Sequence, residues 1–245
     1  NLEGYPKEPG VFSQSPNYLY KTKSVLNKDN TYKLVISKND GNTITATTTM
    51  VDNIKIVKPD TIIAISMLPQ SNQKYIATWK NTKNAKFYGL TIRFFYTEFT
   101  IGNPADSVKK SFDWKVFSDY IPDNNSSGSN AEFTIFTSEL YQQLANNIPV
   151  NNNVNRIVRG TQFTYAAGGN ELYTYYLVNQ SKNGITAGQI TPDYTNISDG
   201  LGLFSSRSFK VVPKVNLKPA TIDSIACNKL TQKLNFFNSQ GQVCP

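Results

Sequence analysis

The sequence predicts a mainly β protein built from β-sandwich modules, and three observations lead to that prediction. Residues that favour strands are abundant, with 14 Tyr and 14 Phe among 245 residues. Apolar and polar residues alternate over several segments, as they do in strands that bury one face. Turn-forming residues separate these segments at short intervals, as in the loops of all-β domains. With 39% hydrophobic residues, the chain has enough apolar side chains for a substantial core.

The clearest pair of strands lies between residues 75 and 99. In the first predicted strand, Tyr75, Ala77 and Trp79 fall on one face. In the second, every alternate residue from 88 to 96 is large and apolar: Tyr88, Leu90, Ile92, Phe94 and Tyr96. The pattern therefore predicts two half-buried strands with a buried tryptophan, joined by a polar turn.

An N-terminal β-sandwich module is predicted over residues 1–58, because Val57-Lys58-Pro59-Asp60 is typical of a junction. Its clearest element is a hairpin over residues 31–49, in which Tyr32, Leu34 and Ile36 alternate before the turn Asn39-Asp40-Gly41-Asn42. The chain starts abruptly in polar sequence, so we expect this first module to be truncated.

Residues 59–245 are predicted to form a larger β-sandwich with a short helix near 138–148 and a helical C-terminal tail. Leu140, Leu144 and Ile148 lie on one helical stripe, and Pro149 ends it. Gly168-Gly169-Asn170 predicts the turn of a second hairpin. The remaining predicted strands are residues 111–117, 133–136, 161–167, 172–178 and 205–212.

The composition excludes several kinds of chemistry. The chain contains no histidine, which removes Ser-His-Asp and Cys-His catalysis as well as His-ligated zinc. The formal net charge is +8, but the lysines are scattered singly and arginine is rare. This distribution is typical of a solvated basic surface, so no nucleic-acid partner is expected. No cofactor or metal is expected either.

The two cysteines, Cys227 and Cys244, are too few for a structural zinc site. A disulfide between them would close a short loop and contribute about 3 kcal/mol in the chain-entropy model. That prediction depends on an oxidising, extracytoplasmic location. Two free thiols are the alternative.

Two resemblances to known families follow from these motifs. Trp79 and the run Ala85-Lys86-Phe87-Tyr88 resemble the buried tryptophan and the tyrosine on the B and C strands of fibronectin type III and immunoglobulin-like modules. The chain also resembles a Bacteroidetes family of cell-envelope lipoproteins of unknown function. That resemblance rests on residues 9–12, Leu26, residues 30–35 and residues 44–50, and it covers residues 8–59 best.

The second resemblance implies a location and a class of partner. It implies an outer-membrane protein, periplasmic or surface-exposed, held by a lipid on an N-terminal cysteine that this chain does not contain. A TonB-dependent receptor, another envelope protein or a glycan is the implied partner. The family brings no catalytic residues, so the resemblance implies a protein that is not an enzyme.

One candidate binding segment is Asn196 to Arg207, in which two glycines alternate with Leu201, Leu203 and Phe204 before a strand. These side chains would form an exposed docking lip in one interpretation. In the other, which we favour, the glycines permit a bulge that places Leu and Phe in the core.

Further candidates are aromatic residues and the outward face of the second strand. Trp114, Tyr173 and Tyr175 would form a sugar-stacking platform if exposed, whereas core packing explains them equally well. Arg93 and Phe95 lie on the face of residues 91–97 that points away from the core. We therefore expect a non-catalytic binding or assembly protein of the outer membrane, with a carbohydrate-binding module or glycan-utilisation component as the alternative.

The carboxylates Glu98, Asp113, Glu132 and Glu171 are the candidate members of a glycosidase pair. Such an enzyme needs two carboxyl groups at a defined separation, which the sequence does not establish. Surface solvation is the commoner role for such residues, and we expect it here.

Overall fold

A computed structural model of the chain describes residues 2–4, 18–182 and 194–244 and shows a mainly β protein. The strands before residue 85 are β1 (Leu2–Gly4), β2 (Tyr18–Tyr20), β3 (Thr31–Ser37), β4 (Thr43–Thr49), β5 (Lys55–Lys58) and β6 (Lys74–Lys80). The later strands are β7 (Phe87–Thr100), β8 (Asn103–Tyr120), β9 (Asn130–Phe136), β10 (Val154–Gly168) and β11 (Arg207–Val215). The helices are α1 (Ser138–Asn147), α2 (Asn170–Lys182) and α3 (Pro219–Cys227), followed by a 3₁₀ turn at Gln232–Leu234.

Seven of these strands form a β-sandwich. One sheet has the order β5-β6-β9 and the other the order β11-β10-β7-β8, and all neighbouring strands are antiparallel. The first, second and fifth strands of the sandwich therefore share one sheet, and the third, fourth, sixth and seventh share the other. The mainly β, sandwich-class fold that the sequence predicted is confirmed.

Trp79 lies at the centre of the core between the two sheets. Its side chain is fully buried, and its ring centroid is 5.2 Å from that of Tyr88 and 5.6 Å from that of Tyr165. These two tyrosines belong to the four-stranded sheet, whereas Trp79 belongs to the three-stranded one. The predicted pair of strands around a buried tryptophan is confirmed, and its two strands lie in opposite sheets.

Helix α1 packs against the core that the two sheets enclose. Leu140, Leu144 and Ile148 are buried, which confirms the predicted apolar stripe of α1. The Tyr141 hydroxyl donates a hydrogen bond to the Met67 carbonyl at 2.9 Å, and burial raises the pKa of that hydroxyl to about 12. The helical tail is also confirmed, by α3 and the 3₁₀ turn.

Arg156 of β10 binds the C-terminal tail to the sandwich. Its guanidinium is fully buried, pairs with Glu98 at 2.8 Å, and donates to the carbonyls of Leu234 and Pro149. Burial by itself would raise the pKa of Glu98, but hydrogen bonds from Lys110 and Arg156 outweigh it and hold that pKa below its usual value. The buried charge is thus fully paired, as its desolvation requires.

The predicted N-terminal hairpin is confirmed as β3 and β4, with Leu34 opposite Ala46. It rests on the segment before β11, because the Ser198 amide donates to the Thr45 carbonyl at 2.8 Å. Thr48 donates to Glu171 of α2 at 2.9 Å. The division into two modules at residue 58 stays a prediction; β5, which precedes that boundary, pairs with β6 beyond it.

The predicted hairpin around Gly168-Gly169-Asn170 is wrong. Residues 161–167 do lie in a strand, but residues 172–178 lie in α2, which begins at Asn170. A short aromatic run fits either a helix or a strand, so its pattern does not decide between them. In a helix, one face can carry Leu172, Tyr173 and Tyr176. The acidic Glu171 in the first turn favours a helix start.

Cys227 at the end of α3 and Cys244 form a disulfide. Their Cα atoms are 5.2 Å apart, within the ordinary range for such bonds. Among the described helices, none combines the length and the apolar character needed to cross a membrane.

Candidate functional site

The four-stranded sheet has one face in the core and one face in solvent, and the solvent face carries the candidate site. On β7, Leu90, Ile92 and Phe94 point into the core and are at most 1% exposed. The alternate residues point outward and define what we call the outer face. On β7 these are Phe87, Gly89, Thr91, Arg93, Phe95 and Thr97.

A groove with a volume of about 490 Å³ runs across the outer face beside α2. Its floor consists of small residues on adjacent strands, where Gly89 pairs with Ala166 and Thr91 pairs with Thr164. Small side chains here leave a depression between the larger residues around them. The volume lies in the range typical of small-molecule and cofactor sites. We call this depression the first groove.

The walls of the first groove carry aromatic and basic side chains. Phe209 of β11 stands on one side and is 61% exposed. Tyr175 of α2, 43% exposed, stands at the end. Lys115 of β8 and Arg207 of β11 supply positive charge, and no Asp or Glu of the described residues lines the groove. The groove thus offers two exposed ring surfaces and two cations to a ligand.

α2 is held against the outer face by a small aromatic cluster. The Phe87 ring lies 6.0 Å, between centroids, from those of Tyr173 and Tyr176. Gly168 lies directly opposite Phe87, and a β-carbon at that position would collide with the ring. The Tyr176 hydroxyl also donates to a carboxylate oxygen of Asp119. Gly168 therefore leaves room for the Phe87 ring, and that ring holds α2 at one end of the groove.

A second groove, of about 370 Å³, lies further along the outer face. Phe95 lines it together with Lys109 and Arg159, and the part of its lining that the structure describes again contains no carboxylate. Arg159 occupies a β-bulge on β10 and donates to the Thr97 hydroxyl at 2.8 Å. The bulge thus places an additional cation on this part of the face.

Arg93 and Asp113 lie between the two grooves as a directly opposed pair on β7 and β8. The guanidinium donates two hydrogen bonds to the carboxylate, at 2.6 and 2.7 Å. The hydrogen bond from Arg93 holds the pKa of Asp113 below its usual value. This carboxylate is therefore neutralised by its partner.

The predicted aromatic platform does not form. Trp114 is 4% exposed and lies opposite Ile92 on the core side of β8, so its placement on a binding surface was wrong. Tyr173 is half-buried against Phe87, and only Tyr175 reaches the first groove. The predicted positions of Arg93 and Phe95 on the outward face of β7 match the structure. Alternation alone placed them there.

The segment before β11 combines features of both sequence interpretations. Leu201 is 82% exposed at its tip, whereas Leu203 and Phe204 are half-buried and do not enter the core. The Asn196 side chain closes the loop by accepting from the Phe204 amide and donating to the Phe204 carbonyl, at 2.9 and 2.7 Å. The expectation that Leu and Phe enter the core was wrong.

The sequence interpretation missed Phe209, Lys115 and Arg207 as site residues. A signal was present, because Arg207, Phe209 and Val211 alternate along one face of a predicted strand. The candidate carboxylates do not meet at the groove. Glu132 lies on β9 in the opposite sheet, and Glu171 accepts from the hydroxyls of Thr48 and Ser205.

The residues described contain no group of three or more Cys, Asp or Glu that would hold a metal ion. Comparison with family models, with curated proteins and with solved structures gives no match for this chain.

Proposed function

We propose that this chain is a non-catalytic binding module of the cell envelope and that its ligand occupies the outer face of the four-stranded sheet. The first groove is the observation that carries the proposal. It combines a concave floor with exposed aromatic walls, which is the usual construction of a ligand site.

The exposed apolar side chains around the groove support a binding role over a purely structural one. Phe209 and Val211 are 61% and 42% exposed, and they are neighbours on the same face of β11. Tyr175 adds a third exposed side chain at the end of the groove. Contiguous exposed apolar side chains beside a concavity are typical of interaction sites.

The disulfide supports an extracytoplasmic location, because such bonds persist in oxidising compartments. Together with the resemblance to Bacteroidetes envelope lipoproteins, it favours a protein of the outer membrane. A TonB-dependent receptor or another envelope protein is the partner that this resemblance implies.

Carbohydrate binding is the second candidate function, and Tyr175 and Phe209 favour it. Aromatic rings exposed beside a shallow groove on a β-sandwich are suited to stacking on the apolar face of a sugar ring. Trp114 takes no part in such stacking, because its side chain is buried.

The test compares the unmodified chain with a groove variant and a matched surface variant. The groove variant is Tyr175→Ala with Phe209→Ser. The control is Ile62→Ser, which removes an apolar side chain that is 87% exposed and does not line the groove. Each protein is used for affinity capture from envelope extract, with mass spectrometry, and is applied to a glycan array.

We expect one partner or glycan that the unmodified chain and the control retain and the groove variant loses. Equal retention by all three proteins would show that the groove is not the binding site. Absence of any specific partner or glycan for the unmodified chain would contradict the binding function itself.

A further inference from the structure

We propose that the ligand of the outer face is an acidic polysaccharide whose chain runs along β7 from the first groove to the second; this rests on the proposed binding function. The two grooves share one face, because Thr91 lines the first, Thr97 lines the second, and both lie on the outward side of β7. At roughly 3.3 Å per residue, these two threonines are about 20 Å apart. Several sugar units can span that distance.

The charge of the face is complementary to a polyanion. Lys115 and Arg207 line the first groove, and Lys109 and Arg159 line the second. Among the described residues, none of these four cations forms an ion pair. They are distributed along the face rather than gathered at one point, so a repeated anion along a polymer matches them better than a single anionic group.

The carboxylates of this face are already engaged. Asp113 is paired with Arg93 through two hydrogen bonds, and Asp119 accepts from the Tyr176 hydroxyl. Glu98 lies on the core side of β7 and is held by Arg156 and Lys110. Among the described residues, no Asp or Glu lines either groove, so the linings carry no negative charge that would repel a ligand carboxylate.

The uncharged part of the face suits sugar rings. Aromatic rings are present at both ends, with the exposed Phe209 and Tyr175 at the first groove and the half-buried Phe95 at the second. Hydroxyl groups lie between and beside them. They belong to Thr91, Thr164, Ser118, Thr97 and Ser107. A uronic acid sugar presents an apolar ring face, several hydroxyls and one carboxylate, which together match these three kinds of group.

A single-stranded nucleic acid fits this face less well, although it is also a polyanion. Proteins that bind it stack successive bases on aromatic side chains along the strand. Here the aromatic rings of the described face lie at the two grooves, and the segment between them carries the Arg93–Asp113 pair and Gln162 instead. The middle of the face therefore lacks the stacking surface that successive bases need.

The experiment measures binding of the chain to four acidic polysaccharides, namely polygalacturonate, alginate, hyaluronan and glucuronan, by affinity electrophoresis and calorimetry. Each is compared with its carboxyl-reduced form, which keeps the sugar rings and loses the carboxylate charge. We expect at least one to bind about tenfold or more tightly than its reduced form, and added salt to weaken that binding. A hexasaccharide is expected to bind more tightly than a disaccharide of the same sugar.

Two pairs of variants test where the polymer binds. Lys115→Gln with Arg207→Gln alters the first groove, and Lys109→Gln with Arg159→Gln alters the second. The control, Lys229→Gln with Lys233→Gln, removes the same net charge near the C-terminus. Each groove pair should weaken binding about tenfold, since each removes two charge contacts, and the control should change it less than about twofold.

Four outcomes would overturn the acidic-polysaccharide assignment. Equal losses in the control pair would show only non-specific attraction to a basic protein. Tighter binding of single-stranded poly-dT than of every polysaccharide would assign the face to nucleic acid. Binding no weaker to the reduced forms would make the ligand a neutral glycan, and that outcome would leave the proposed binding function intact. Failure of all eight polymers to bind would overturn the assignment and the carbohydrate version of the function, while affinity capture would still test a protein partner.

Discussion

The two faces of β7 differ sharply although they belong to one strand. The inner face consists of large apolar residues that are almost fully buried, from Tyr88 to Tyr96. The outer face alternates small, polar, charged and aromatic residues, such as Gly89, Arg93 and Phe95. Because a strand turns successive side chains to opposite sides, one segment can carry the core and a ligand surface at once. Substitutions on the inner face should therefore affect stability, and substitutions on the outer face should affect binding.

The largest difference is expected between the adjacent residues Phe94 and Phe95. Phe94 is 1% exposed, and its ring centroid lies 5.6 Å from that of Phe112 and 6.2 Å from that of Phe236. Phe94→Ala should lower the free energy of unfolding by about 4 kcal/mol, because it removes buried area and leaves a cavity. Phe95→Ala should lower it by less than about 1 kcal/mol. Urea denaturation of both variants measures the two values, and similar losses would contradict the division of roles.

A second pair of variants compares a buried and an exposed arginine on β10. Arg156→Ala should lower the free energy of unfolding by about 3 kcal/mol. It leaves Glu98 without its buried partner and removes the hydrogen bond that holds the tail at the Leu234 carbonyl. Arg159→Ala removes an exposed cation from the outer face and should cost less than about 1 kcal/mol. Thermal unfolding compares the two. Hydrogen exchange should also show faster exchange of the tail amides in Arg156→Ala alone.

Two glycines of the outer face provide a third, smaller contrast. Gly168→Ala should lower the free energy of unfolding by about 2 kcal/mol, because the new methyl group displaces the Phe87 ring on which α2 packs. At Gly89 a β-carbon would lie 3.4 Å from the nearest atom, the Phe117 carbonyl oxygen, which is ordinary contact. Gly89→Ala should therefore change the free energy of unfolding by less than about 1 kcal/mol. Hydrogen exchange in α2 provides the second readout, and unchanged protection in Gly168→Ala would show that Phe87 does not hold the helix.

The smallest of these effects concerns pH. The pKa of Glu98 is lowered in the folded protein, so its stabilising contribution is present above the pKa of the unfolded chain and is lost as pH falls through the folded value. When the pH is lowered from neutral to below about 4, the free energy of unfolding should fall in both proteins. The fall should be smaller in Glu98→Gln, because that variant has no carboxylate at position 98 to protonate. Urea denaturation at both pH values measures the difference. Glu132→Gln on the opposite sheet is the control, and an equal change in both variants would argue against a specific role for Glu98.

The candidate site was predictable only in part. Alternation along a single strand assigns Arg93 and Phe95 to the outward face, and that assignment needs no tertiary information. Tyr175 was named for its aromatic ring, but its position in the groove depends on a helix where the sequence predicted a strand. Phe209 of β11 and Lys115 of β8 line the same groove although the two residues are 94 positions apart in the chain. No local pattern indicates which strands will be neighbours.

The sequence by itself determined the mainly β class, the hairpin over residues 31–49, the helix from Ser138 and the buried position of Trp79, because each depends on local periodicity and turn residues. Only the tertiary structure decided that Trp114 is buried, that α2 is a helix, and that Arg156 is an internal anchor. The physical reason is that burial and sheet order are set by contacts between distant segments. The same polar or aromatic residue can serve the core or the surface, according to what packs against it.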